Sequence, residues 1–152
     1  MQKVFVLNGP NLNLLGIRQP ELYGTQSLND VRLLCIREAE ILDFEIDFRQ
    51  TNHEGLLVDW VHEAHEKKAG IVINASALAR TSLSLHDAVA GITMPVIEIH
   101  ITNIYRREAY RPPSYLSKVA AGMICGFGLD VYPLGLRALK TIFVETQRNE
   151  LS

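Results

Sequence analysis

The feature that most constrains this chain is that short apolar runs alternate, along its length, with segments whose apolar residues recur at helical spacing. Residues 3–8 form a nearly continuous apolar run closed by Asn8-Gly9-Pro10, which reads as a strand buried on both faces and ended by a turn. Ser27-Leu28-Asn29-Asp30 has the form of a capping box, and Leu28, Val31, Leu34, Cys35 and Leu42 then follow a helical period. Phe44, Ile46 and Phe48 alternate with Glu45, Asp47 and Arg49, which predicts a second strand. A second helix carries Leu56, Leu57, Trp60, Val61 and Ala64 on one face and ends before Gly70. Ile71-Val72-Ile73, residues 95–101 and residues 122–125 supply three more strands, with helices expected over 83–90 and 134–146.

An order of this kind implies an α/β, doubly wound, five-stranded parallel sheet, covered on both faces and joined by right-handed crossovers. A chain of 152 residues with 47% hydrophobic content suits one domain spanning 1–152, large enough to do without disulfides or a structural metal. Cys35 and Cys125 both fall among apolar residues and read as small core side chains in a reducing compartment. A net charge of −2 without a basic cluster speaks against a nucleic-acid or membrane surface and for a small-molecule partner. The N-terminus enters a strand-like run directly and no apolar run approaches the ~18 residues of a membrane span, so a cytoplasmic protein is expected.

Ligands of such sheets bind beyond the carboxyl ends of the strands, and in the flavodoxin-like order 2-1-3-4-5 the strand order reverses between the first and third strands. Three loops therefore matter: 8–23, 74–82 and 100–111. The first is far longer than the roughly 2 to 6 residues such a loop needs. In it Arg18 and Tyr23 flank a Pro-Glu turn that could bring a guanidinium to a phenol. A tyrosine acting as base near neutral pH needs its phenolate stabilised by about 4 kcal/mol, more than one adjacent cation reliably supplies. Taken alone, Tyr23 reads as a packed surface ring rather than as a base. In Glu98-Ile99-His100, alternation puts carboxylate and imidazole on one face, either a general acid with its orienting partner or a satisfied core histidine. Asn103, Arg107 and Arg111 follow, as ligand contacts or as a solvated charged loop.

Other chemistries lack their residues. His62 and His65 are three apart without H-E-x-x-H and read as helix-surface residues, while Gly126-Phe127-Gly128 lacks a third glycine and reads as a tight turn. No G-x-S-x-G occurs and neither cysteine has an evident histidine partner.

In order along the chain stand N-G-P-N-L-N-L-L-G (8–16), R-x-P-x-x-Y-G (18–24), Q-T-N-H-E-G (50–55), P-V-I-E-I-H-I-T-N (95–103), R-E-x-[FY]-R (107–111) and S-Y-L-S (114–117). In these motifs the sequence resembles the type II dehydroquinases over nearly its whole length. The resemblance implies a flavodoxin-like subunit in a dodecamer of four trimers that removes water from 3-dehydroquinate by anti elimination, without metal or cofactor. The reaction serves aromatic biosynthesis and quinate breakdown alike. By the same resemblance Tyr23 abstracts the C2 proton and Arg18 favours its phenolate. The resulting enolate is stabilised through Asn11 and a water, and His100, oriented by Glu98, protonates the departing hydroxyl. Asn74 positions substrate and water, the Ile101 backbone and Thr102 hold the carboxylate, Arg111 binds ring hydroxyls, and Asp87 reaches a neighbouring subunit's site. The loop after the third strand departs from the pattern: Arg80 stands where the family usually has a substrate-contacting histidine, and His86-Asp87-Ala88 where it has R-D-A. Arginine keeps donors for a carboxylate but is longer and permanently charged. That departure also admits a relative acting on another hydroxylated cyclic acid, or a binding or regulatory protein with weak catalysis.

Overall fold

The computed structural model describes residues 1–17, 20–106 and 113–152, with Leu22 and Tyr23 described in their backbone alone. Its elements are β1 (Gln2–Asn8), α1 (Pro20–Tyr23), α2 (Leu28–Leu42), β2 (Phe44–Gln50), α3 (Glu54–Glu66), β3 (Gly70–Asn74), α4 (Leu78–Thr81), α5 (Leu83–Ala90), β4 (Val96–His100), β5 (Gly122–Cys125) and α6 (Val131–Leu151). The strands pair in parallel in the order β2-β1-β3-β4-β5, the flavodoxin-like arrangement expected.

Alternation along β1 divides the core. Val4 and Val6 join the apolar layer shared with α2 and α6, while Phe5 and Leu7 face the layer formed with α3 and α5. β1 is buried on both faces because it lies inside a sheet covered from both sides; β2, at the edge, is only partly buried beyond Phe44. The capping box is present in full: Ser27 Oγ accepts from Asp30 N–H and the Asp30 carboxylate accepts from Ser27 N–H.

α6 differs most from expectation, starting three residues earlier, at Val131, and running on to Leu151. Pro133 and Gly135 hide this start from a periodicity argument. A proline in the first turn removes only an N–H that has no intrahelical partner there. Gly135 lets the helix sit close on the sheet, since a Cβ there would lie 3.0 Å from Val72 Cγ1 and 3.2 Å from Ile99 Cγ2. Cys35 is buried as expected, but Cys125 is half-exposed because its strand is the far edge of the sheet. His62 is exposed and His65 half-buried. No helix among the described residues is long and apolar enough to cross a membrane.

Candidate active site

The parallel pairing brings the last residues of β1 and β3, Asn8 and Asn74, into register as neighbours, with β4 ending beside them at His100. The two loops that leave there touch at once. Gly9 N–H donates to Asn74 O at 2.8 Å, and a Cβ on Gly9 would stand 2.5 Å from Ala75 O, so the crossing requires a glycine.

Asn11 then takes a left-handed conformation, φ 71°, which asparagine tolerates better than most residues. It is pinned from the 50–55 motif: Asn52 Oδ1 accepts from Asn11 N–H at 2.9 Å and from Gln50 Nε2 at 3.0 Å, while Gln50 Nε2 also donates to Gly9 O at 3.2 Å. Sequence reasoning gave that motif no role. Through these bonds it ties down the first loop at Gly9 and Asn11.

A cleft of about 170 Å³ opens at this point. Of the residues singled out in the sequence, it brings together Asn11, Asn74, Arg80, His100, Ile101 and Thr102. Glu98 lies behind His100, fully buried. Asp87 is not on the cleft: its carboxylate is 79% exposed on α5 and pairs with His86 Nδ1 at 2.9 Å. Arg18, Arg107, Arg111 and the Tyr23 side chain lie outside the described residues.

His100 Nε2 is hydrogen-bonded to Glu98 Oε2, which fixes the tautomer and leaves Nδ1 as the ring nitrogen for exchange with a ligand. Glu98 is satisfied on both oxygens. Ser114 Oγ donates to Oε2 at 2.7 Å and Ser117 Oγ donates to Oε1. Burial pushes the Glu98 carboxyl up, but the bonds from His100, Ser117 and Ser114 together outweigh it and hold it below the ordinary carboxylate value. The S-Y-L-S motif is thus the clamp on the histidine's partner. The tight turn read at Gly126-Phe127-Gly128, with both glycines at positive φ, ties the end of β4 from the other side: Gly126 N–H donates to His100 O at 3.2 Å and Gly128 N–H to Ile101 O at 3.0 Å.

A third group missed in the sequence lies beneath the cleft. Tyr132, in the first turn of α6 and fully buried, donates from its hydroxyl to Asn8 Oδ1 at 2.6 Å and accepts from Asn74 Nδ2 at 3.2 Å. Burial pushes its phenol well above the ordinary tyrosine value, so it acts as a neutral hydrogen-bonding group. The arrangement as a whole offers a buried, oriented imidazole, a permanent cation and several amide and hydroxyl groups around a small polar ligand, the outfit of an acid-catalysed step.

The family model for class II dehydroquinases matches residues 2–140. The 3-dehydroquinate dehydratase of Sinorhizobium medicae is 53% identical over 139 residues, covering 91% of this chain and 94% of its own length. That of Brucella abortus is 53% identical over 146 residues, covering 96% and 93%. Among solved structures, the type II dehydroquinase of Propionibacterium acnes superposes with a TM-score of 0.89 at 37% identity, covering 93% of this chain and 97% of that one. With the fold, the sheet order and a family match over most of its length in agreement, this chain belongs to the class II dehydroquinases.

Proposed function

We propose that this chain dehydrates 3-dehydroquinate to 3-dehydroshikimate. The observation that carries the reading is His100 at the end of β4, held from behind by an ionised Glu98 and opening on a cleft shared with Asn11, Asn74, Arg80 and Thr102. The relatives named as 3-dehydroquinate dehydratases supply the substrate.

In the proposed reaction the Tyr23 phenolate, favoured by Arg18, removes the C2 proton, and the electron pair moves to the carbonyl oxygen as an enolate. Asn11 and a water stabilise that oxygen. The enolate re-forms the carbonyl as the hydroxyl leaves, and His100 delivers the proton that makes it water. Asn74 positions substrate and water. Ile101, Thr102 and Arg80 take the carboxylate, with Arg80 contributing a permanent charge and a planar set of donors where a histidine would offer fewer. Arg111 and Arg107 complete the binding side. The full chain 1–152 serves as one catalytic domain, assembled as a dodecamer of four trimers in the cytoplasm. An exposed Asp87 outside its own cleft supports a shared site, and two free cysteines suit a reducing compartment.

The test is direct. Purified protein with 3-dehydroquinate should generate the ultraviolet absorbance of the conjugated enone; no signal at high enzyme concentration removes the reading. Tyr23→Phe keeps the ring and loses the basic oxygen, so turnover should fall by at least about 100-fold with substrate binding largely retained. A Tyr23→Phe enzyme of normal rate excludes Tyr23 as the base.

A further inference from the structure

We propose that Tyr132 is a positioning residue of this site, setting through its hydroxyl which end of the Asn74 amide faces the ligand; this rests on the reading of Asn74 as a substrate-positioning group. Asn8 and Asn74 are register partners at the strand reversal, and Tyr132 reaches both from α6. The direction of the chain of bonds is fixed from its far end. Asn8 Nδ2 donates to Arg49 O at 3.0 Å, so Asn8 presents its oxygen to Tyr132. The phenolic proton goes to that oxygen, at 2.6 Å, which leaves only lone pairs on the hydroxyl for Asn74. Asn74 must answer with its nitrogen, at 3.2 Å.

The Asn74 oxygen is thereby turned away from the phenol and accepts from Ser76 N–H at 3.3 Å, and both Asn74 and Ser76 line the cleft. What Asn74 offers a ligand is then an acceptor oxygen with a lone pair to spare, together with its second N–H. That polarity selects a donor, a hydroxyl group or a water, where a flipped amide would present both N–H groups to a carbonyl. A main-chain carbonyl on the edge strand thus dictates hydrogen-bond polarity in the cleft through three side chains, all of them buried.

Tyr132→Phe keeps the ring and its packing and removes only the hydroxyl. With the 3-dehydroquinate assay, kcat should fall roughly tenfold while KM stays within about threefold, the loss expected of one misdirected hydrogen bond. The deciding measurement is a double-mutant cycle with Asn74→Ala. If Tyr132 acts through Asn74, Tyr132→Phe costs less than about twofold once Asn74 is absent. Equal losses in both backgrounds overturn the proposal, because a hydroxyl that merely supported the fold would cost the same in each. An Asn74→Ala enzyme with wild-type kinetics removes instead the reading of Asn74 on which the proposal rests, and the unmodified enzyme's turnover tests the dehydratase assignment separately. Should Tyr132→Phe fail to fold, Asn8→Ala keeps the phenol but frees its proton to donate to Asn74. A folded Asn8→Ala protein, checked by circular dichroism, should show the same kcat loss; unchanged kinetics in it overturn the proposal.

Discussion

Glu98 is the residue on which the acid half of the site turns, and its ionisation can be read in solution. Its folded pKa lies below the ordinary carboxylate value, so its bonds stabilise the fold fully above that value and are lost as the pH falls from there through the folded pKa. Replacing Glu98 by Gln removes this contribution. The thermal midpoints of wild type and Glu98→Gln should therefore differ most near neutrality and converge on acidification. Asp47, also held below its ordinary value chiefly by its hydrogen bond from Arg49, is present in both proteins and cancels from the comparison. A gap that stays constant across the acid range would show that Glu98 is not held ionised. At this scale the sequence disclosed the pair but not its support. Glu98 and His100 are two apart on a strand, so a period of two puts them together; Ser114 and Ser117 are 16 and 19 residues away from Glu98, and only the fold brings them to it.

At the scale of elements, the site is made where two loops cross, and Gly9 is the crossing point. Ala at position 9 would drive its Cβ against the Ala75 carbonyl, backbone against backbone, so one loop must shift. Gly9→Ala should lose on the order of 2 kcal/mol of stability by chemical denaturation, with a larger proportional loss of kcat/KM because the shifted loops carry Asn11 and Asn74. Gly55 is the control. It lies in the first turn of α3 with nothing within 4 Å of an added Cβ, so Gly55→Ala should be neutral or stabilise by up to roughly 1 kcal/mol. Equal effects at the two positions would show that the loop crossing carries no special constraint. The same scale explains the early start of α6. Periodicity located its apolar stripe, but Pro133 and Gly135 look like breakers in sequence and become allowed only through their place in the first turns and against the sheet.

For the whole molecule, the proposed assembly makes a prediction that no single subunit can. If each site uses its own His100 and a neighbour's Asp87, then Asp87→Ala and His100→Ala should each be nearly inactive alone. Subunits of the two kinds co-expressed and co-purified should recover activity, since some mixed sites combine an intact histidine with an intact aspartate. No recovery in a mixed assembly of normal size, measured by sedimentation, would place Asp87 outside the neighbour's site. What the sequence determined by itself was whatever is encoded locally or periodically. The strands and most helix spans, the capping box, the parallel sheet implied by βαβ alternation, and the Glu98–His100 pair all depend on spacings of a few residues. What only the tertiary structure decided were the contacts between segments far apart in the chain. They are the Gln50 and Asn52 tether on Asn11, the serines on Glu98, and Tyr132 linking Asn8 to Asn74 across 124 and 58 residues. Nothing local marks those side chains, because hydroxyl and amide groups acquire a direction only when burial leaves each of them one partner that can answer its donor or acceptor.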